Sequence, residues 1–213
     1  MFKDRIDAAL QLAEKLKKYK NLNGIVLAVP RGGVPIGYII AKELGFPLEI
    51  ILSKKIGHPR NPEYAIGSVS LDGATINDNV MDVSMNYFQQ ESNRILNSLK
   101  AKFNYYMGGR KMADLQDKTV IVVDDGIATG STIIATVHSI RKRNPKEIII
   151  AVPIAPTSVV SKLKSIADEF ICLSVPRDFL GVGQFYEDFS QVSDDEVIQL
   201  LQKANSREMH MNH

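Results

Sequence analysis

Two adjacent carboxylates followed by a glycine-containing turn are the strongest candidates for chemistry in this sequence. Asp124 and Asp125 come directly after four apolar residues, and Gly126 and Gly130 follow them four positions apart. Residues 131–140 then carry apolar side chains at helical spacing. Glycines let backbone N–H groups converge, and a helix N-terminus adds partial positive charge, so this order of residues predicts a phosphate site. The two carboxylates can accept hydrogen bonds from a pair of hydroxyls, which indicates a sugar phosphate as the ligand.

Other motifs fit this stretch less well. A Walker A loop needs a longer glycine spacing and a lysine before the Ser/Thr, and a dinucleotide fingerprint needs G-x-G-x-x-G. A receiver domain carries its acidic pair near its start and lacks such a glycine loop. An ordinary strand–turn–helix connection accounts for any two of these features, but less well for all of them in register.

The surrounding elements predict an α/β fold. Buried strands are expected at 25–29, 48–52, 120–123, 147–152 and 170–175, and helices at 4–19, 34–44, 131–140, 157–167 and 195–204. Short strands at 65–71 and 75–80 are expected to form a hairpin, followed by a long amphipathic helix at 82–106. The alternation of strands and helices predicts a mainly parallel, twisted sheet with helices on both faces.

A second strand–glycine–helix unit carries Arg31, Gly32 and Gly33. The fork of an arginine matches phosphate oxygens, and glycines let the backbone approach an anion closely. Lys54 and Lys55 follow the next predicted strand, and ligands of open α/β sheets gather at the carboxyl ends of strands. These residues predict an anion site without separating Lys54 from Lys55.

Residues 120–132 resemble the phosphoribosyl-pyrophosphate (PRPP) loop of type I phosphoribosyltransferases: four apolar residues, two acidic ones, then a short phosphate loop containing Thr-Gly. The resemblance covers residues 23–175 and implies that fold. The residues that it implies for PRPP are Asp124, Asp125, Gly126, Ile127, Ala128, Thr129, Gly130, Ser131, Thr132, Gly32 and Gly33. In the family, the loop that contains the last two glycines binds pyrophosphate, often through a non-proline cis peptide. Gly126 stands where the family usually has an aliphatic residue, which favours a more mobile loop.

The resemblance also implies roles outside these loops. Arg31 and one or both of Lys54 and Lys55 would neutralise the leaving pyrophosphate, with Mg²⁺ bound as the Mg–PRPP complex and no direct protein ligand. Residues 57–64 are interpreted as a loop and as the candidate catalytic flap, in which Glu63 could assist proton transfer. An ordered, solvent-facing loop is an equal alternative.

Residues 176–189 have no clear period and are interpreted as a hood over the acceptor base. Phe179, Phe185 and Tyr186 are its candidate stacking residues. An aromatic loop that only caps the core is the alternative.

The implied activity is transfer of the 5-phosphoribosyl group between PRPP and a nitrogenous base, with pyrophosphate as leaving group. A PRPP- or nucleotide-sensing regulator, or an enzyme acting on another ribose-phosphate ester, remains an alternative. Hypoxanthine-guanine members carry an aspartate at the position of Ala128, so its absence here weakens the case for 6-oxopurines.

Composition favours a single domain of 213 residues, with an inserted arm at 82–110 and the hood and last helix at 176–205. A net charge of +2 without long runs of one sign argues against nucleic-acid or membrane partners. The start of the chain lacks a signal peptide, which favours a cytoplasmic protein. Cys172 is the single cysteine, in an apolar run typical of a buried thiol, and four scattered histidines give no zinc spacing. The arm is expected to pack on its own sheet, with a lid or a homodimer contact as alternatives.

Overall fold

The computed structural model describes residues 1–77 and 82–211, with side chains described as far as residue 206. The predicted strand at 75–80 therefore lies partly outside the described residues. No helix in the described part of the chain is long and apolar enough to cross a membrane.

A five-stranded parallel sheet forms the centre of the molecule, with strand order β2–β1–β6–β7–β8. Its strands are β1 (Gly24–Ala28), β2 (Leu48–Ile50), β6 (Thr119–Val123), β7 (Glu147–Ile154) and β8 (Glu169–Ser174). All residues of β1 and β6 are buried, as expected for strands covered on both faces. The sequence analysis predicted all five.

Helices cover both faces of this sheet. They are α1 (Arg5–Leu16), α2 (Gly33–Leu44), α3 (Met85–Met107), α4 (Ser131–Arg141), α5 (Thr157–Ile166) and α6 (Asp194–Met211). Alternate residues of each strand point to opposite faces, so Val26 and Ile121 pack in the layer with α1, α2, α3 and α6, whereas Ile25 and Val120 pack with α4 and α5. The predicted α/β architecture is confirmed.

The register of the sheet brings two connecting loops together. Ala28, the last residue of β1, pairs with Val123, the last residue of β6. The loop at 29–32 and the loop at 124–130 therefore leave the same edge of the sheet side by side. We call them the arginine loop and the acidic loop.

A second sheet, antiparallel and three-stranded, corrects the prediction for residues 57–64. It consists of β3 (Ser53–His58), β4 (Asn61–Ser70) and β5 (Gly73–Ile76), so the candidate flap is part of a hairpin and not an irregular loop. Glycine and proline are typical strand breakers, so the prediction interpreted this range as a loop. The two strands accommodate these residues where their pairing is irregular. The pairing shifts on both sides of Gly57, where a Cβ would lie 2.6 Å from the carbonyl oxygen of Pro62. We call β3 and β4 the hairpin.

The arm is a 23-residue helix, α3, that packs on its own chain. Ser84 caps it by accepting a hydrogen bond from the Tyr87 amide, and Gly108 ends it in the left-handed conformation. Its buried residues, including Phe88 and Ile95, join the same apolar layer as α1, α2 and α6.

The ends of the chain differ slightly from the prediction. α1 ends at Leu16 and continues as a short 3-10 turn to Tyr19. Residues 176–193, which connect β8 to α6 and which we call the hood, contain one short 3-10 helix (Val182–Phe185). Ser193 accepts a hydrogen bond from the Glu196 amide and so caps the start of α6. α6 runs to Met211, beyond residue 204 where the predicted helix ends.

Candidate active site

The arginine loop and the acidic loop are in direct contact. A Cβ on Gly32 would lie 1.8 Å from Oδ2 of Asp125, and one on Gly33 would lie 2.8 Å from the carbonyl oxygen of Val123. Only glycine, which has no Cβ, permits this close approach, so steric exclusion explains why both positions are glycine. The peptide bond between Pro30 and Arg31 is cis, the feature that the family resemblance implies for this loop.

The acidic loop ends in an N-terminus suited to an anion. Gly130 has φ of 77°, a left-handed conformation, directly before α4 begins at Ser131. Ala128, Thr129, Ser131 and Thr132 are exposed there. The first amides of a helix have no partner within it, so they can donate to phosphate oxygens.

Two residues anchor this loop from below. Ile127 is buried, and its amide donates to the carbonyl of Ile154 at 2.9 Å. A Cβ on Gly126 would lie 2.5 Å from Cγ1 of Val182 in the hood and 2.6 Å from Cγ2 of Ile154. The glycine that departs from the family pattern is therefore explained by close packing against the hood, which lends no support to the expectation of greater mobility.

The two carboxylates form a coupled pair. The amide of Asp125 donates to Oδ1 of Asp124 at 2.8 Å. Burial, followed by the neighbouring charge of Asp125, raises the pKa of Asp124 well above its ordinary range. Burial also raises the pKa of Asp125, but Arg5 opposes that shift. A buried acidic pair of this kind needs a nearby cation or donor to remain ionised.

Arg5 supplies that cation, and the sequence analysis missed it. Its Nε and Nη2 donate to Oδ2 of Asp125 at 2.9 and 2.8 Å, and its Nη1 donates to the carbonyl of Ser190 at 2.7 Å. Its guanidinium also lies 4.0 Å from the ring centroid of Phe189. One signal was present: an arginine in the first turn of a helix opposes the helix dipole, so it needs a partner elsewhere.

The hood contacts the acidic loop through Tyr186. Its hydroxyl donates to the backbone carbonyl of Asp125 at 2.7 Å. Its ring is 5% exposed and packs between Phe2 and Phe189, with centroids 5.4 and 5.0 Å away. Because the ring is buried, little of it is accessible for the base stacking predicted for Tyr186. The side chain contacts the acidic loop instead of facing an open surface.

The other two aromatic candidates lie together in the hood. The rings of Phe179 and Phe185 stack with a centroid distance of 5.7 Å and an interplanar angle of 21°. Both are half-buried. Their contact with a base stays a prediction.

Arg31 pairs with an aspartate that a tyrosine in turn contacts, and sequence reasoning identified neither residue. Its Nη1 lies 3.5 Å from Oδ1 of Asp194, at the start of α6. The hydroxyl of Tyr106, near the end of α3, donates to the same oxygen at 2.5 Å. The arm and the last helix thus meet at the arginine loop.

The two lysines lie on opposite faces of β3, because neighbouring strand residues alternate. Ser53 shares the face of Lys55, and its hydroxyl donates to the carbonyl of Thr132 at 3.2 Å. Lys55 therefore points to the side of the acidic loop and α4, and Lys54 to the side of α3. The predicted strand at 48–52 stops at Ile50, so both lysines lie within β3 and not at the end of a strand of the main sheet.

Glu63 pairs with Lys55 across the hairpin. Nζ of Lys55 lies 2.9 Å from Oε2 of Glu63, whose side chain is 90% exposed. At the hairpin end, His58 is buried and accepts a hydrogen bond from the Arg60 amide at Nδ1, so its Nε2 carries the proton toward Asp82 at 3.2 Å.

Cys172 is not part of this site. Burial raises the pKa of its thiol to about 11, which is typical of an inert structural cysteine. Among the described residues, no group of three or more His, Cys, Asp or Glu side chains could hold a metal ion. Binding of magnesium as part of a Mg–PRPP complex stays a prediction.

A parallel α/β sheet with a glycine loop and an acidic phosphate loop at adjacent strand ends is the arrangement of type I phosphoribosyltransferases. A model of the phosphoribosyl transferase domain matches residues 2–190. The chain belongs to the phosphoribosyl transferase family.

Known relatives agree with this assignment. Two proteins from strains of Mycobacterium tuberculosis, whose names as phosphoribosyl transferases are themselves provisional, are 36% identical over 209 residues, or 96% of this chain. The crystal structure of TT1426 from Thermus thermophilus matches with a TM-score of 0.87 and 35% identity, covering 95% of this chain and 98% of that one. The chain spans about half the length, 47%, of the two curated relatives.

Proposed function

We propose that this chain transfers the 5-phosphoribosyl group between PRPP and a nitrogenous base, with pyrophosphate as the leaving group. The observation that carries the proposal is the contact between the arginine loop and the acidic loop, in which Gly32 lies against the carboxylate of Asp125. Membership of the family supports it. The predicted cytoplasmic location belongs to the same proposal.

Each loop has a separate task in this mechanism. Residues 129–132 bind the 5′-phosphate through amides of the α4 N-terminus and hydroxyls. Asp124 and Asp125 accept hydrogen bonds from the ribose hydroxyls and so orient C1 toward the acceptor. The transition state resembles an oxocarbenium ion, and fixed negative charge beside the ribose stabilises it.

The arginine loop and the hairpin act on the leaving group. Arg31 and Lys55 neutralise pyrophosphate as its bond to C1 breaks. A magnesium ion bound together with PRPP, without a direct protein ligand, would supply further positive charge to the leaving group. Glu63, on the same hairpin, is the candidate to assist proton transfer at the base, which Phe179 and Phe185 are proposed to stack against.

The acceptor is proposed only as a class. The loop position where hypoxanthine-guanine members have an aspartate is the exposed Ala128, which offers no carboxylate to a purine ring. Adenine-like and other nitrogenous bases therefore come before 6-oxopurines in a search for the acceptor.

The test is base-dependent release of pyrophosphate from Mg–PRPP across a panel of purines and pyrimidines. Asp124→Asn removes one ribose acceptor while keeping shape and the contact between Arg5 and Asp125. Asp114→Asn is the matched control, because Asp114 is exposed and serves only the nearby Gln116 amide at 3.0 Å.

We expect release with one class of base, lost in Asp124→Asn and retained in Asp114→Asn. Binding of PRPP by calorimetry without release on any base would favour a PRPP-sensing regulator. Failure to bind PRPP would contradict the proposal and leave an enzyme of another ribose-phosphate ester as the better interpretation.

A further inference from the structure

The contact between Arg5 and Asp125 is one of the best-enclosed ion pairs near the proposed site. The side chains of Arg5 and Asp125 are only 11% and 15% exposed. Removing one partner of such a pair leaves a desolvated charge, so the contact has large consequences for the groups around it. The mechanism above assigns no role to Arg5.

The geometry of the contact is asymmetric. Nε and Nη2 of Arg5 both donate to Oδ2 of Asp125, and the α-carbon of Gly32 packs against that same oxygen. Arg5 and Gly32 thus enclose one oxygen of the carboxylate. Both hydrogen bonds from Arg5 end on Oδ2, and neither uses Oδ1.

Arg5 is fixed by the backbone that carries it. The amide of Phe2 donates to the carbonyl of Phe185 at 2.8 Å, and the amide of Glu187 donates to the carbonyl of Phe2 at 2.8 Å. The amide of Asp188 donates to the carbonyl of Lys3 at 2.9 Å. The chain segment before α1 is therefore hydrogen-bonded to the hood, with an isolated β-bridge between Phe2 and Tyr186, and Arg5 follows it directly.

The acidic loop needs such a fixed cation. In the described part of the chain, the charged or titratable groups that act on Asp125 include Arg5 from α1, Asp124 from its own loop and the hydroxyl of Tyr186 from the hood. Arg5 opposes the burial-driven rise in the pKa of Asp125 most strongly, through both its hydrogen bonds and its charge. Without it, two buried neighbouring carboxylates would compete for one proton.

We propose that Arg5 is a positioning residue for ribose recognition: it holds Oδ2 of Asp125 so that Oδ1 accepts a hydrogen bond from a ribose hydroxyl of PRPP. This inference rests on the proposed function, since it assumes that PRPP is the ligand. It makes the hood and the start of the chain part of the PRPP site, although neither carries a phosphate-binding motif.

The experiment measures Mg–PRPP binding by calorimetry between about pH 6 and pH 9. Arg5→Gln removes the charge, and Arg5→Lys keeps the charge but not the two-donor fork. Arg141→Gln is the matched control, because Arg141 also pairs with an aspartate, Asp168 at 2.9 Å, but on the partly exposed surface. Circular dichroism and thermal melts establish that each variant folds.

We expect Arg5→Gln to bind PRPP roughly tenfold or more weakly at pH 7. Because loss of Arg5 raises the proton affinity of Asp125, affinity in this variant should recover as the pH rises. Arg5→Lys should restore part of the affinity and show a pH profile between the two. Arg141→Gln should follow the wild-type chain throughout. If Arg5→Gln does not fold, the intermediate affinity and shifted profile of Arg5→Lys carry the test.

Three results would overturn the inference while leaving the proposed function intact. The first is an affinity and pH profile in both Arg5 variants equal to those of the wild-type chain. The second is tighter binding in Arg5→Gln, which would mean that Arg5 blocks the ribose. The third is weaker binding with an unshifted pH profile and no rescue by lysine, which is the result of a purely structural role. No binding of PRPP by the wild-type chain would overturn both proposals.

Discussion

Two ion pairs near the proposed site have nearly the same length and opposite surroundings. Arg5 and Asp125 approach to 2.8 Å with side chains 11% and 15% exposed, whereas Lys55 and Glu63 approach to 2.9 Å with side chains 38% and 90% exposed. In the first pair, water is largely absent and the geometry is fixed by three elements. In the second, water screens the charges and the side chains can separate at little cost. The two pairs therefore differ in rigidity despite their similar lengths. Asp125 is a rigid hydrogen-bond acceptor on one side of the site, and Lys55 is an adaptable cation on the other.

The difference follows from the two sheets. The acidic loop leaves β6, a strand whose residues are all buried, and is packed against both the arginine loop and the hood. The hairpin belongs to the small antiparallel sheet, and residues 59–64 around its turn are exposed. A fixed side suits ribose orientation, and an exposed side suits a leaving group that must depart.

The largest effect on PRPP binding is expected from Gly32→Ala, which disturbs the rigid side directly. The added Cβ would lie 1.8 Å from Oδ2 of Asp125, so either the carboxylate or the arginine loop must move. A displacement of this size at a reacting centre can cost roughly a hundredfold in rate or binding. Calorimetry with Mg–PRPP measures the loss.

Gly181→Ala is the control for Gly32→Ala. Gly181 has an extended backbone, and among the described residues no atom lies within 4 Å of its Cβ position. PRPP affinity equal to that of the wild-type chain in Gly32→Ala would mean that the two loops do not form one ligand site.

The next prediction concerns the stability of the fold and the buried residue Glu49, which lies where the two sheets meet. Glu49 is buried in a small cluster with Asp72 and Arg143, and it accepts a hydrogen bond from the Ala113 amide at 2.9 Å. Burial raises the pKa of its carboxyl from 4.5 to about 7, although the Ala113 amide, Arg143 and Lys118 oppose that shift. Below pH 4.5 the carboxyl is neutral in both the folded and the unfolded chain. As the pH rises through 4.5 toward 7, the unfolded chain releases this proton first, so the stability of the fold falls.

Glu49→Gln should remove that dependence, because glutamine keeps an oxygen for the Ala113 amide and has no charge. The free energy of unfolding of the variant should match the wild-type value near pH 4 and exceed it near pH 8 by about 3 kcal/mol, from 1.36 kcal/mol per pKa unit. Urea denaturation across this range measures the difference. A constant difference at all pH values would show that Glu49 does not titrate between them.

Gly126→Ala tests how firmly the hood holds the acidic loop. Its Cβ would lie 2.5 Å from Cγ1 of Val182 and 2.6 Å from Cγ2 of Ile154, and overpacking of this kind costs about 1–3 kcal/mol. Val182→Ala in the same chain should return part of that loss, because it removes one of the two clashes. Urea denaturation of both single variants and the double variant gives the coupling. Additive effects would mean that Val182 is not the residue that limits position 126.

The sequence revealed the parts of this site that are contiguous in the chain. Asp124, Asp125 and Gly130 could be identified because a buried strand, an acidic pair and a helix start follow one another within thirteen residues. Tyr106 and Asp194 could not, and the helix position of Arg5 indicated only that it needs a partner, since each reaches the site through the packing of a separate helix. No local pattern reports a contact such as that of Arg5 with Asp125, 120 residues away.

The hairpin was missed for a different reason. Gly57 and Pro62 break a strand pattern in isolation, but here they lie together at an irregular pairing, where the absence of a side chain on Gly57 leaves room for the backbone of Pro62. The choice between Lys54 and Lys55 also depended on it, because strand alternation assigns a face only once the strand itself is known.

The smallest effects should come from the exposed pair on the hairpin. Glu63→Gln should change the free energy of unfolding by less than about 1 kcal/mol, because a pair exposed to this extent is screened by water.

Lys55→Gln should weaken Mg–PRPP binding modestly, whereas Lys54→Gln, on the opposite face of β3, should not. The contribution of Lys55 should fade as salt rises above about 0.1 M, since ions screen exposed charges beyond a Debye length of roughly 10 Å. Calorimetry at two salt concentrations distinguishes the rigid side from the adaptable side. At the higher salt concentration, the loss of Mg–PRPP affinity in Lys55→Gln should shrink, whereas the loss in Arg5→Gln should persist because the partner of Arg5 is buried. Equal salt sensitivity of both variants would contradict the division into a rigid and an adaptable side.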